Sequence, residues 1–237
     1  MLKSIATASK AAIAALFVSA APAAAEIELS FYLGAQSVQK SNLSGTIPNP
    51  AGVGAPVAVN RRMDWEANPF DMPVYWGARG TYWLQSNWGF GLEYTHAKAY
   101  ASNADKAALG LGKFELSDGH NLLTLNAMKR FPGLFGTDKV TPYAGAGIGV
   151  AFPHVDVQSA TGGLARTFGY EITGPAVRGI IGLNYRFTER WSLFSEYQIT
   201  YSENDITVDP FAAGQAPGKV STDITTHAVN VGVSYSF

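Results

Sequence analysis

His227-Ala-Val-Asn-Val-Gly-Val-Ser-Tyr-Ser-Phe237 is the stretch from which the fold is read. Val229, Val231, Val233, Tyr235 and Phe237 alternate with Ala228, Asn230, Gly232, Ser234 and Ser236. Successive side chains of a strand point to opposite faces, so this stretch predicts a strand with one apolar face and one small, mostly polar face. A soluble sandwich could supply the alternation, but it does not usually end on an aromatic such as Phe237 with another, Tyr235, two residues earlier.

The pattern recurs upstream. Residues 26–36 set Ile27, Leu29, Phe31 and Leu33 against Ser30, Tyr32, Gly34 and Gln36. Residues 71–84 set Val74, Trp76, Ala78, Tyr82 and Leu84 against Tyr75, Gly77, Arg79 and Thr81. Residues 88–99 set Phe90, Leu92 and Tyr94 against Gly89, Gly91, Glu93 and Thr95. Further strands are expected around 120–127, 140–152, 177–187 and 193–201. Long loops, near 37–70, 100–117, 158–166 and 203–218, alternate with short turns at 85–87, 132–139 and 188–190. Eight tilted strands of about 10 residues, joined in this way, are what a small transmembrane barrel needs. The last strand resembles the terminal strand of bacterial outer-membrane barrels, which closes the barrel and is read by the assembly machinery, here through Phe237. A lipocalin-like barrel would turn the bulky faces inward and expose the Gly-rich strips, which disfavours it.

The fold expected is therefore all-β: an eight-stranded antiparallel transmembrane β-barrel of the outer membrane over residues 26–237, after a cleaved signal peptide over residues 1–25. Lys3 and Lys10 precede the apolar run 11–18, which is too short to span a bilayer, and Ala23-Ala24-Ala25 is a small-residue cleavage site. Tyr82, Trp88, Tyr185, Phe187, Trp191, Tyr235 and Phe237 are expected to form the periplasmic aromatic girdle. The formal net charge of −1 argues against nucleic acid, which requires a basic face. The absence of cysteine excludes disulfides and thiolate metal sites.

A turn centred on Ser86 sets Arg79 opposite Glu93, both facing the lumen, and Arg178 and Glu196 enter from later strands. A gated polar pore is one reading. Structural ion pairs filling a narrow interior are the favoured one, because eight strands leave room only for side chains.

Of the four histidines, His120 is expected in the lumen and His227 at the loop rim. His96 and His154 point outward by parity, towards the loop end of the barrel. With Lys98, Asn121 and Asp156 they make a polar patch expected to face the headgroups of the outer leaflet. Two histidines and a carboxylate, His96, His154 and Asp156, can hold a divalent metal or act as acid and base. The alternative is a set of interfacial residues contacting headgroups and water. Asp64, Glu66, Asp71, Asp205 and Asp209 could bind calcium or magnesium, or simply be solvated. No Ser-His-Asp motif, phosphate loop or HExxH occurs.

Four segments carry a family resemblance: Phe70-Asp-Met-Pro-Val-Tyr-Trp-Gly-Ala-Arg-Gly80, Gly91-Leu-Glu-Tyr-Thr-His-Ala-Lys98, Ser117-Asp-Gly-His-Asn-Leu-Leu-Thr-Leu-Asn-Ala127 and Thr141-Pro-Tyr-Ala-Gly-Ala-Gly-Ile-Gly-Val150. Together the chain resembles the outer-membrane lipid A oxidase family of alphaproteobacteria. The resemblance implies oxygen-dependent oxidation of the proximal glucosamine of lipid A to an aminogluconate unit, with molecular oxygen as co-substrate and lipopolysaccharide as partner. The candidates for that chemistry are His96 and His154 as metal ligands or acid and base, and Asp156 as orienter or third ligand. Arg61, Arg62, Lys98 and Asn121 are candidates for holding the anionic substrate. The alternatives are a non-enzymatic surface barrel, adhesive or envelope-stabilising, and a narrow channel for small apolar solutes.

Overall fold

The computed structural model describes residues 26–237, apart from the side chains of Ser117 and Asp118; the expected leader, residues 1–25, lies outside the described residues. The elements in chain order are β1 (Glu26–Val38), β2 (Ser41–Ile47), β3 (Val57–Met63), β4 (Trp65–Glu66), β5 (Trp76–Trp83), β6 (Trp88–Ala101), α1 (Asn103–Ala108), β7 (Leu111–Arg130), β8 (Val140–Ala151), β9 (His154–Ser159), β10 (Arg166–Tyr170), β11 (Gly174–Arg186), β12 (Trp191–Val208) and β13 (Gly218–Ser236). Strands β1, β5, β6, β7, β8, β11, β12 and β13 pair antiparallel in that order, and β13 pairs back to β1. The ring thus has eight strands, each with a paired neighbour on both sides.

The lower part of the ring is apolar outside and polar inside. Ile27, Leu29, Phe31, Phe90, Leu92, Leu125, Ile148, Ile181, Val231 and Val233 are exposed, as side chains facing lipid must be. The interior is filled by large residues set against small ones. A Cβ added at Gly77 would fall 2.2 Å from the Tyr32 ring, and one at Gly182 would fall 2.5 Å from Tyr143. Between these rings lies a charged network. Arg79 meets Glu93 at 3.4 Å and Glu196 at 3.0 Å, and Arg178 meets Glu93 at 2.8 Å. Tyr32 and Asn126 also donate to Glu93, and Tyr143 to Glu196. All four carboxylate oxygens of Glu93 and Glu196 therefore have a donor, which a buried charge requires.

Above this band the polarity inverts. Leu43, Ile47, Met63, Trp65, Phe114, Leu116, Val155, Val157, Ile206, Phe211, Val220 and Ile224 form one buried apolar cluster. The long loops expected at 37–70, 100–117 and 203–218 are largely replaced by structure. β2 and β3 form a hairpin laid on β13; β6 runs on to Ala101 and is followed by α1; β12 and β13 extend upward in register from Glu203↔Asp223 to Val208↔Gly218. The physical reason is burial: these segments place an apolar residue inward at alternate positions, and together they enclose a core that isolated loops could not. The connection expected at 158–166 shrinks to the tip between β9 and β10.

Candidate functional site

The outward faces of β6, β7 and β9 carry the candidate residues where the apolar band ends. His96 is the cross-strand partner of Trp76 on β5 and of Asn121 on β7. The Trp76 ring stacks on the His96 ring at 6.2 Å. His96 Nδ1 lies 3.1 Å from Asn121 Oδ1, and the Tyr94 hydroxyl donates to the same oxygen at 2.7 Å. One amide oxygen therefore holds both the imidazole and the phenol. A register shift between Ala97 and Ala99 sets Lys98 at an irregularity of the β6–β7 ladder, and its ammonium donates to the Asp71 carbonyl at 2.6 Å.

On β9, His154 is held edge-on by Phe168 at 4.4 Å and by Tyr170 at 4.8 Å, both from β10. Asp156 accepts from Lys113 at 3.2 Å and Arg166 at 3.4 Å. Here, above the apolar band, burial works against the charge on Lys113, but the hydrogen bond to Asp156 and the nearby Glu115 outweigh it and hold the ammonium above the usual lysine range.

The patch expected to lie open to headgroups is in fact covered: His96, Lys98, Asn121, His154 and Asp156 are all buried. Aromatic rings and the neighbouring chain segments supply the cover. Around it stand exposed Phe70 and Met72 on one segment and Phe168, Tyr170 and Ile172 on another. The expected metal set is not assembled. Among the described residues no three His, Asp or Glu side chains converge as ligands, and one oxygen of Asp156 is held by two cations. A divalent metal therefore does not fit these donors. Arg61 is bound to Asp105 at 2.6 Å, and Arg62 faces Asn42 across the β2–β3 hairpin, which pairs with β13 and not with the strands of the patch. Asp64 and Asp205 are paired with Lys40 and Lys219, each on its own part of the surface. His120 lies inside, against Asn204 and Ser202, and His227 is within β13, bonded to Gln39 and Tyr197.

The model of the outer membrane protein beta-barrel domain matches residues 11–237. The chain belongs to that family. Its place is the bacterial outer membrane. Comparison with curated proteins finds no match. Among solved structures, the barrel is similar to Neisserial surface protein A, NspA, at 14% identity and TM-score 0.48, covering 90% of this chain and 97% of that one. It is similar to OprG of Pseudomonas aeruginosa at 14% identity and TM-score 0.49, with 90% and 95% covered. It is also similar to Ail of Yersinia pestis at 11% identity and TM-score 0.39, with 90% and 99% covered.

Trp76, Tyr94, Lys113 and Arg166 join the site of this barrel without having stood out in the sequence. Trp76 was within reach: the turn at Ser86 that pairs Arg79 with Glu93 also pairs Trp76 with His96. Tyr94 and Lys113 depend on pairings across long connections, β6 with β7 and β7 with β9, and Arg166 on the β9–β10 pairing across the 160–165 tip, for none of which a tight turn sets the register.

Proposed function

We propose that the barrel is an outer-leaflet enzyme that oxidises lipid A at its proximal glucosamine, working through the cluster around His96 and His154. One observation carries this reading: two buried imidazoles stand on the outer wall of the barrel where the lipid-facing band ends, one of them fixed by an asparagine and a tyrosine. Polar groups on that wall cost free energy and add nothing to barrel closure, so their presence points to chemistry at that depth. With Nδ1 donating to Asn121, Nε2 is the basic nitrogen of the neutral His96 ring. In the proposed reaction Nε2 takes the proton of the sugar C1 hydroxyl. Over the reaction C1 gives up two electrons and, with the hydroxyl proton, two hydrogens, which molecular oxygen takes up as hydrogen peroxide while the sugar becomes a lactone. Water then opens the lactone to the acid, a net gain of one oxygen. The resemblance of the segments around His96 and Asn121 to the lipid A oxidase family supports oxidation over other modifications.

Mass spectrometry of lipid A from a host grown in air, with and without the chain, tests this. A species heavier by one oxygen is expected with the wild type and absent with His154→Ala. An unchanged lipid A, with the barrel folded in the outer membrane, overturns the reading. That result would favour the second one, a non-enzymatic surface barrel, to which the self-contained apolar core of the upper part lends itself.

A further inference from the structure

Below the polar cluster, on the strands that follow one another round the ring, the lipid-facing wall is dented. Phe90 and Leu92 of β6, Leu125 of β7 and Ile148 of β8 rise around a floor of Ala127 and Ala146. Those two alanines face each other across the β7–β8 ladder. The hollow has a volume of ≈ 560 Å³ and its lining is largely apolar. The register joins it to the cluster above. His96 stands opposite Asn121, Tyr94 opposite Leu123, Leu92 opposite Leu125 and Phe90 opposite Ala127, so one outward-facing track leads from the imidazole down into the hollow.

Depth decides what fits there. From His96 to Phe90 is about 20 Å along the strand, or about 15 Å of depth at a barrel tilt near 40°. Half the hydrocarbon core of a bilayer is also about 15 Å. The hollow thus lies where the acyl chains of the outer leaflet end.

We infer that this hollow is an acyl-chain subsite. It takes the methyl end of one acyl chain of an outer-leaflet glycolipid whose sugar head rests at the His96–Asn121 cluster, and so reads chain length. The inference rests on the cluster being a glycolipid site. The selectivity comes from packing. A chain leaving bilayer for groove gains nothing from the hydrophobic effect, since lipid is as apolar as the groove. A chain long enough to touch all the walls gains dispersion contacts that a shorter one forgoes.

The experiment uses the full barrel in detergent micelles with two lipid A preparations that differ only in acyl-chain length, and native mass spectrometry to count bound lipid. The wild type should retain the longer species over the shorter by roughly threefold to tenfold, a preference within the reach of a few methylene contacts. Ala146→Leu fills the floor and should erase the preference while keeping the heat-modifiable mobility of a folded barrel; Ala127→Leu is read in its place if it does not fold. Ser195→Leu, a lipid-facing change on β12 across the ring, should keep the preference. No preference in the wild type, or the same preference in the filled variants, overturns the subsite. The enzyme reading is scored separately by the oxygen added in cells. Loss of preference in Ala146→Leu with no oxygen added by the wild type would leave the subsite standing and the oxidase fallen. Oxygen added without any chain-length preference would do the reverse.

Discussion

Glu93 shows how much a single side chain carries in this interior. Fully buried, it accepts from Arg178 at 2.8 Å, Tyr32 at 2.6 Å, Asn126 at 2.6 Å and Gln198 at 2.8 Å, with Arg79 at 3.4 Å. Two arginines and two glutamates balance here, so deleting one carboxylate leaves a buried cation facing only half its partners. Such deletions cost about 3–5 kcal/mol, far more than the net worth of the intact pair. Glu93→Ala should therefore lower the unfolding free energy by that order, read as a fall in the urea midpoint. Glu93→Ala combined with Arg178→Met should recover part of the loss, because the stranded charge goes with its partner. If the single variant unfolds at the wild-type midpoint, water reaches the network and the interior is not dry. The Arg79–Glu93 pairing was legible from the sequence, because a tight turn fixes register. Arg178 and Glu196 were legible as lumen residues, but their partners were not, because Glu196 reaches Arg79 and Arg178 reaches Glu93 across the lumen rather than along a ladder.

At the scale of elements, the upper strands were hidden for a nameable reason. β3 turns Val59, Arg61 and Met63 inward, and the arginine breaks the apolar alternation by which a strand is recognised. Its charge is met from α1. Asp105 accepts from Arg61 at 2.6 Å, from the Asp64 amide at 2.7 Å and from Ser102 at 2.8 Å, while Ser102 caps the helix by accepting from the Asp105 amide. The Gly-, Pro- and Asn-rich composition around β2 reads as loop, and only the enclosing core makes it strand. Burial pushes the Asp105 carboxyl up, but the Asp64 amide, Ser102 and Arg61 outweigh it and hold it below the ordinary value of 3.8. A depressed carboxyl contributes stability that is complete above its unfolded pKa and is lost as pH falls through the folded one. The tie between β3 and α1 should therefore loosen only below pH 3.8. Hydrogen exchange at the amides of Asp64 and Asp105 reads this directly. Protection should fall in acid in the wild type, and in Asp105→Asn it should already be low at neutral pH. Protection in that variant equal to wild type at neutral pH would show that the carboxylate does not hold the junction.

For the whole molecule, one parity rule serves two solvents. Along β12 the inward residues run Glu196, Gln198, Thr200, Ser202, Asn204 and then Ile206, Val208, while the outward ones run Leu193, Tyr197, Ile199, Tyr201 and then Glu203, Asp205, Thr207. The backbone does not change; lipid outside gives way to water, and polarity swaps faces. The same swap on β13, from Val220 and Ile224 inward to Val229 and Val231 outward, is why the strands looked as if they ended at the membrane edge. The molecule is consequently sealed at two levels. A vestibule of ≈ 550 Å³ opens at the turn end and meets Arg79, Tyr143 and Phe194, where the buried network begins. Above the network, the apolar core between β2, β7, β9, β12 and β13 closes the upper part. An ion would have to shed its water twice, once among fixed charges and once against hydrocarbon, and the second barrier alone excludes it. Reconstituted in planar bilayers, the barrel should pass no current. Glu93→Ala, which loosens the first seal, should stay silent because the second remains. Adding Phe114→Ala and Ile224→Ala, which hollow the upper core, should be needed before conductance steps appear. Steps in the wild type, or in Glu93→Ala alone, would mean that the upper core opens on its own and that the channel reading has to be taken up again.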